Sequence, residues 1–182
     1  MKYKLLTDLY QNVESTSKRL EKTYYLSNFL KQVPDQELEQ VILLLQGKVF
    51  AQWDDRKIGV AVKLVVRAIQ LATGIEAKKI EQEWKNTGDL GKTAENLVKN
   101  KKQGTLFSAE LSVKKVFNNI QKLATVEGVG SVDLKVKLVS ELLSSAKPRE
   151  ARYVIRTVLE DLRVGIGDGI IRDSIVWVNF AD

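Results

Sequence analysis

The sequence predicts an all-α fold, an irregular bundle of roughly ten to twelve helices with helical hairpins that present glycine turns. Three observations predict it. Apolar residues recur three and four positions apart along almost the whole chain, no segment alternates convincingly at period two, and only 2 prolines and 11 glycines punctuate 182 residues. The first spacing is that of one buried helix face, and its absence at period two argues against half-buried strands.

Leu5, Leu6, Leu9, Tyr10 and Val13 mark a first helix, and Leu20, Tyr24, Phe29, Leu30 and Val33 a second that Pro34 closes. Asp35 is placed to cap a third helix carrying Leu38, Val41, Ile42 and Leu45, which Gly47 ends. A connection over 48–57 holds Trp53, and an apolar helix then runs from about Val60 to Ala72 and stops at Gly74. A polar helix with Ile80 and Trp84 follows, and Thr87-Gly88-Asp89 opens another with Leu90, Ala94, Leu97 and Val98 on one face. Beyond a polar run at 99–105, Leu111, Val116, Phe117, Ile120 and Leu123 form a helix ending in Glu127-Gly128-Val129-Gly130. Ser131 reads as the N-cap of the next, with Leu134, Leu138, Leu142 and Leu143, and Pro148 begins the helix after that. The polar run divides one domain, residues 1–182, into two helical halves, 1–100 and 106–182.

One stretch carries the functional reading: Leu162-Arg163-Val164-Gly165-Ile166-Gly167-Asp168-Gly169. Ala151, Val154, Ile155, Val158, Leu159 and Leu162 place a helix before it, and Ile170, Ile171, Ser174, Ile175 and Val178 a helix after it. Glycine lets backbone N–H groups turn outward, and the free N–H groups of the next helix attract an anion, so such a turn can hold a phosphate. A dinucleotide-binding fingerprint is rejected, because it needs a preceding strand and an acidic residue some 20 positions on. A plain corner that ends one helix accounts for the glycines equally well. Gly128, Gly130 and Ser131, with Lys135 and Lys137 close behind, repeat the arrangement one hairpin earlier, although Asp133 there argues against an anion. Two such turns together fit a clamp on two phosphates better than either does alone.

Composition narrows the classes. The chain has 29 Lys and Arg against 23 Asp and Glu, a net +6, which suits a polyanion. The excess is spread evenly: residues 1–100 carry 16 basic and 13 acidic side chains, and residues 101–182 carry 13 and 10, so a basic patch has to be made by folding. No cysteine and no histidine occur, which excludes disulfides, thiolate or imidazole metal sites and the commonest nucleophile and acid–base designs. The longest apolar run, Val41 to Leu45, is far short of a membrane span, and Met1-Lys2-Tyr3-Lys4 leads into an amphipathic pattern rather than a signal peptide, so a soluble intracellular protein is expected. Arg149, Arg152 and Arg156 share a helix face, which is either a basic stripe or ordinary solvated surface. Gln103-x-x-Leu106-Phe107, in the polar run, looks like a shortened form of the glutamine-plus-hydrophobic peptide that docks on the DNA sliding clamp; a solvated loop is the alternative.

Several segments, in order and spacing, resemble one family. Ser17-Lys18-Arg19-Leu20, Leu26-Ser27-Asn28-Phe29-Leu30, Asp54-x-x-x-Ile58-Gly59-Val60, Ala68-Ile69-x-x-Ala72-Thr73-Gly74, Gly88-Asp89-Leu90-Gly91, Glu150-Ala151-Arg152-Tyr153-x-x-Arg156 and the Leu162–Asp168 stretch are similar to the N-terminal DNA-binding domain of ATP-dependent DNA ligases of the archaeal and eukaryotic replicative type. The resemblance implies an all-helical module that lies across the minor groove of nicked duplex DNA in replication, repair and recombination, with cytoplasmic location if archaeal. It carries over Gly128, Gly130, Ser131, Arg163, Gly165 and Gly167 as phosphate and minor-groove contacts, with Lys135, Arg19 and Arg156 beside them. The clamp peptide at Gln103, Leu106 and Phe107 is the alternative partner site. The family's Lys-x-Asp-Gly adenylylation motif is absent, so the resemblance implies a fragment without its nucleotidyltransferase and OB-fold domains. ATP and Mg2+ are then expected only for the full-length enzyme, and the partners are duplex DNA and the ligase's own catalytic domains.

Overall fold

A computed structural model describes residues 1–99 and 110–180. Within them the fold is all-α: ten helices, one 3-10 turn, and a single isolated bridge in place of any strand. The elements are α1 (Tyr3–Glu14), α2 (Arg19–Leu30), α3 (Leu38–Leu45), α4 (Val62–Thr73), α5 (Ala77–Thr87), α6 (Leu90–Lys99), α7 (Val113–Thr125), α8 (Ser131–Ser145), α9 (Pro148–Val158) and α10 (Asp168–Phe180).

Helix α9 is the axis of the bundle. Glu150, Ala151 and every residue from Tyr153 to Val158 are buried, so this helix is covered on all sides rather than along one stripe. Helices α1, α6 and α8 pack around it, α4 lies along α8, α3 against α7, and α10 along α2. The halves of the sequence are thereby interleaved. Tyr10 and Tyr153 meet with ring centroids 4.9 Å apart, and the Tyr10 hydroxyl donates to the Leu44 carbonyl at 2.7 Å, so a buried polar tip is satisfied. The N-terminus is tied in by Tyr3 N to Leu111 O at 2.8 Å and Val113 N to Met1 O at 3.0 Å.

Local chemistry explains most boundaries. Gly74 and Gly88 end α4 and α5 in the left-handed region, with φ of 71° and 65°. Asp89 opens α6 by accepting from the amides of Gly91 (2.8 Å) and Lys92 (3.2 Å). Pro148 starts α9, where the Glu150 carboxylate accepts from Lys147 N at 2.7 Å.

Four expectations are corrected. Asp35 begins the 3-10 turn Asp35–Glu37 and makes no side-chain cap. Ser131 is the first residue of α8, and the capping position belongs to Gly130, left-handed at φ 81°. The helix before the glycine stretch ends at Val158 rather than continuing to Leu162, because Glu160 turns to φ 56°. Leu20 and Tyr24, assigned to a buried face, are 69% and 57% exposed, since α2 turns Thr23, Leu26 and Ser27 inward instead.

Candidate nucleic-acid interface

Burial alternates along the connection from α9 to α10, in a backbone that is left-handed at Arg163 and Gly165. Leu162 and Val164 are buried, and Arg163, Gly165 and Gly167 are exposed. Leu162 packs against the left-handed Gly47, where a Cβ would lie 3.0 Å from the leucine's own Cβ. Arg163 adopts φ 57°, which is costly for a side-chain-bearing residue and is held by the two apolar anchors on either side. Its guanidinium is half exposed and bonded to Asp161 at 2.5–2.7 Å, a contact that holds Arg163 firmly in its charged form.

Across from this loop, α2 supplies two cations. Lys22 Nζ donates to the carbonyls of Val164 (3.4 Å) and Gly165 (3.1 Å), and Arg19 Nη2 to Asp173 of α10 at 2.6 Å. Gly165 is left-handed at φ 68°, which favours glycine, and the tips of both cations lie close to the loop: a Cβ on Gly165 would sit 2.7 Å from Lys22 Nζ and one on Gly169 3.2 Å from Arg19 Nη2. Ser17, Arg19, Lys22, Gly165, Gly167, Gly169 and Ile170 enclose an open cleft of about 340 Å3. The amides of Gly165, Gly167, Asp168 and Gly169 have no hydrogen-bond acceptor among the described residues, and the three glycines line the cleft together with Arg19 and Lys22. The Arg19 hydrogen bond keeps Asp173 below the usual carboxylate range, and Asp168 accepts from Gln46 at 2.9 Å, so the acidic groups beside the cleft already have partners.

The second turn differs in chemistry. Gly128 and Gly130 are left-handed at φ 84° and 81°, both exposed, with open space where a Cβ would stand. Ser131 N is used within the turn, bonding the Gly128 carbonyl at 3.2 Å. Lys135 Nζ lies 3.5 Å from the Gly59 carbonyl, and Arg67 of α4 pairs with Asp133 at 2.8 Å.

Arg156 leaves the list of candidate contacts. It is 3% exposed, and its guanidinium bonds Asp89 at 2.6 and 3.0 Å, Glu14 at 3.2–3.3 Å and the Leu162 carbonyl at 3.4 Å. Of the three arginines read as either a basic stripe or solvated surface, Arg152 is largely enclosed and bonds Glu95, whereas Arg149 stays at the surface in an exposed pair with Asp8 at 2.6 Å, so no continuous stripe forms. An arginine facing a neighbouring helix in a closed bundle has to find a carboxylate, and α1 and α6 supply them. Gln103, Leu106 and Phe107 lie outside the described residues. Lys22 was missed, although its spacing of three from Arg19 puts both on one face of α2. Among the described residues no group of three or more Asp or Glu side chains is placed to hold a metal ion, and no helix is long and apolar enough to cross a membrane.

The family model for the DNA ligase N terminus matches residues 2–176. The chain belongs to this family. Among curated proteins it is 43% identical to the DNA ligase of Thermococcus onnurineus (strain NA1) and 45% identical to that of Thermococcus fumicolans, each over 175 residues, 96% of this chain and 31% of the relative. The DNA ligase of Nanoarchaeum equitans (strain Kin4-M) is 43% identical over the same shares. The chain thus spans about a third of the length of these DNA ligases.

Proposed function

We propose that this DNA ligase N-terminal chain binds duplex DNA through its backbone and minor groove, without regard to sequence, and holds both sides of a nick for catalytic domains of the same ligase in replication and repair. The observation that supports the reading is the cleft where Arg19 and Lys22 meet Gly165, Gly167 and Gly169 of the 162–169 loop, with Arg163 exposed on the same loop beside a separate cleft that Asp161 and Gly88–Gly91 line. Phosphates carry no sequence information, so a site of cations and main-chain donors accepts any sequence, as sealing nicks demands. Each arginine keeps free N–H donors beyond its carboxylate partner and can take a phosphate in exchange for it. The chain contains no Lys-x-Asp-Gly sequence and so does not fit a covalent AMP site; its part is binding and orientation, and alone it seals no nick.

Fluorescence anisotropy with nicked and intact duplexes across a salt series tests the reading. About four to six phosphate contacts give a log–log salt slope of roughly −4 to −5. Arg163→Ala weakens binding to all sequences alike and flattens that slope by about one unit. Absence of duplex binding at low salt, or a loss that depends strongly on sequence, overturns the proposal.

A further inference from the structure

Arg163 is the exposed cation of the 162–169 loop, and in the free chain it is already occupied. Asp161 Oδ2 lies 2.7 Å from its Nε and 2.5 Å from its Nη2, so one carboxylate oxygen closes the side-on fork that a guanidinium offers to a phosphate. The two side chains meet because Leu162 between them is buried and the backbone turns to φ 56° at Glu160 and φ 57° at Arg163. The Asp161 amide donates to the Arg156 carbonyl at 2.9 Å, and Leu162 and Val164 anchor Arg163, so packing rather than the ion pair fixes the main chain at both residues. The side chains of Arg163 and Asp161 are 50% and 52% exposed, and a pair so exposed adds little to the stability of the fold. The acidic groups around the loop are not held alike. Asp173 is tied by Arg19 at 2.6 Å and by Arg172 at 3.3 Å, and Asp168 accepts from Gln46 at 2.9 Å, whereas Asp161 has Arg163 alone as a side-chain partner among the described residues.

We infer that Asp161 is an internal stand-in for phosphate: it fills the Arg163 fork in the free chain, and a phosphate of the bound duplex displaces it. The inference rests on the DNA-binding reading above and gives Asp161 an opposing part in it, as a residue that weakens binding. Displacement needs only a rotation of the Asp161 side chain into water, since its backbone is held by the Arg156 carbonyl and stays in place. A carboxylate two residues away on the same chain has a high effective concentration, so a single anion from solution competes with it poorly. A phosphate of a duplex already seated at Arg19 and Lys22 is tethered too, and meets Asp161 on equal terms. Asp161 thereby makes the Arg163 contact conditional on the rest of the duplex being in place, and selects a polyanion over free anions. The opposite role, a carboxylate that steadies Arg163 for phosphate, is already filled by the buried residues on either side of the arginine.

Four proteins test this in a potassium chloride series read by anisotropy on a nicked duplex: wild type, Asp161→Asn, Arg163→Ala and the double variant. Asp161→Asn, which keeps the size of the side chain and removes its charge, binds roughly three- to sixfold more tightly at the lowest salt, the scale of one unit charge taken from about 4–6 Å of a phosphate in bulk water. The gain shrinks as the Debye length falls from about 30 Å at 0.01 M to about 8 Å at 0.15 M, so the log–log slope is steeper than that of the wild type. The coupling between the two changes is decisive. Displacement requires that Arg163→Ala cost more affinity in the Asp161→Asn background than in the wild type, because only there is the fork open beforehand. Affinity of Asp161→Asn equal to or below that of the wild type overturns the inference, and so does strict additivity, which would make Asp161 merely a charge near DNA. Either result leaves the loss on Arg163→Ala, and with it the DNA-binding reading, intact. If the wild-type chain fails to bind duplex at all, the DNA-binding reading falls and the role of Asp161 with it.

Discussion

Replacing Gly91 with alanine sets two opposing effects against each other at the joint between α6 and α9. In an exposed helix interior the change gains about 1 kcal/mol, because alanine loses less backbone entropy and is the better helix former. Here the added Cβ would lie 2.7 Å from the Arg152 carbonyl oxygen, 2.8 Å from Arg156 Cγ and 3.0 Å from Asp89 Oδ1. Ordinary contact begins at 3.4 Å, so against the carbonyl alone α6 is short by about 0.7 Å. None of these neighbours yields easily. The carbonyl belongs to the enclosed backbone of α9, the carboxylate is fixed by the Gly91 and Lys92 amides, and the arginine is clamped by Asp89 and Glu14. Overpacking costs about 1–3 kcal/mol, and three unyielding contacts at or below 3.0 Å put this site in the upper part of that range, about 2–3 kcal/mol, so that a gain of about 1 kcal/mol leaves a net loss of roughly 1–2 kcal/mol. For a chain of this size that lowers the melting temperature by roughly 2–8 °C, readable by calorimetry and by urea unfolding with an unchanged m-value. A melting temperature equal to or above that of the wild type would refute the argument that α6 and α9 touch backbone to side chain at this point.

The remaining predictions concern the buried pair behind the loop. Arg156→Met leaves the carboxylates of Asp89 and Glu14 without their shared guanidinium and destabilises the chain by about 3–5 kcal/mol; denaturation that matches the wild type would mean the charges are solvated. Burial raises the pKa of Asp89, but the hydrogen bond and charge of Arg156 and the amides of Lys92 and Gly91 outweigh it, so the folded value lies below the ordinary 3.8. A depressed carboxyl stabilises the fold above its unfolded pKa and ceases to do so as pH falls through the folded value. Melting temperature should accordingly decline below about pH 4, and Asp89→Asn, less stable at neutral pH, should show a shallower decline. Glu150, raised by burial, works the other way and favours the fold when protonated, so the comparison of wild type with Asp89→Asn isolates the Arg156 partner. Parallel curves for the two proteins would remove Asp89 from the account.

Helical periodicity was enough to determine the class and most of the helices, because one apolar face every 3.6 residues is a property of the chain alone. The glycine turns were legible for a related reason: a left-handed backbone at Gly128, Gly130 and Gly165 is a local demand that glycine meets without steric cost. Packing decided which of the basic residues remain at the surface. Periodicity marks one face of a helix as apolar but does not say whether another helix covers the opposite face, and α9 is covered on both. Arg156 therefore faces carboxylates 67 and 142 residues away in the chain, a pairing that no local pattern encodes. Conversely, Leu20 and Tyr24 carry the periodicity of a core yet stand in solvent, and Lys22 gains its place beside Gly165 only when α10 lies along α2. The sequence by itself determined where the backbone could bend and which segments would coil. The tertiary structure decided which charges were used up inside the bundle and which remained to meet a ligand, because the free energy of a charge depends on what surrounds it in space.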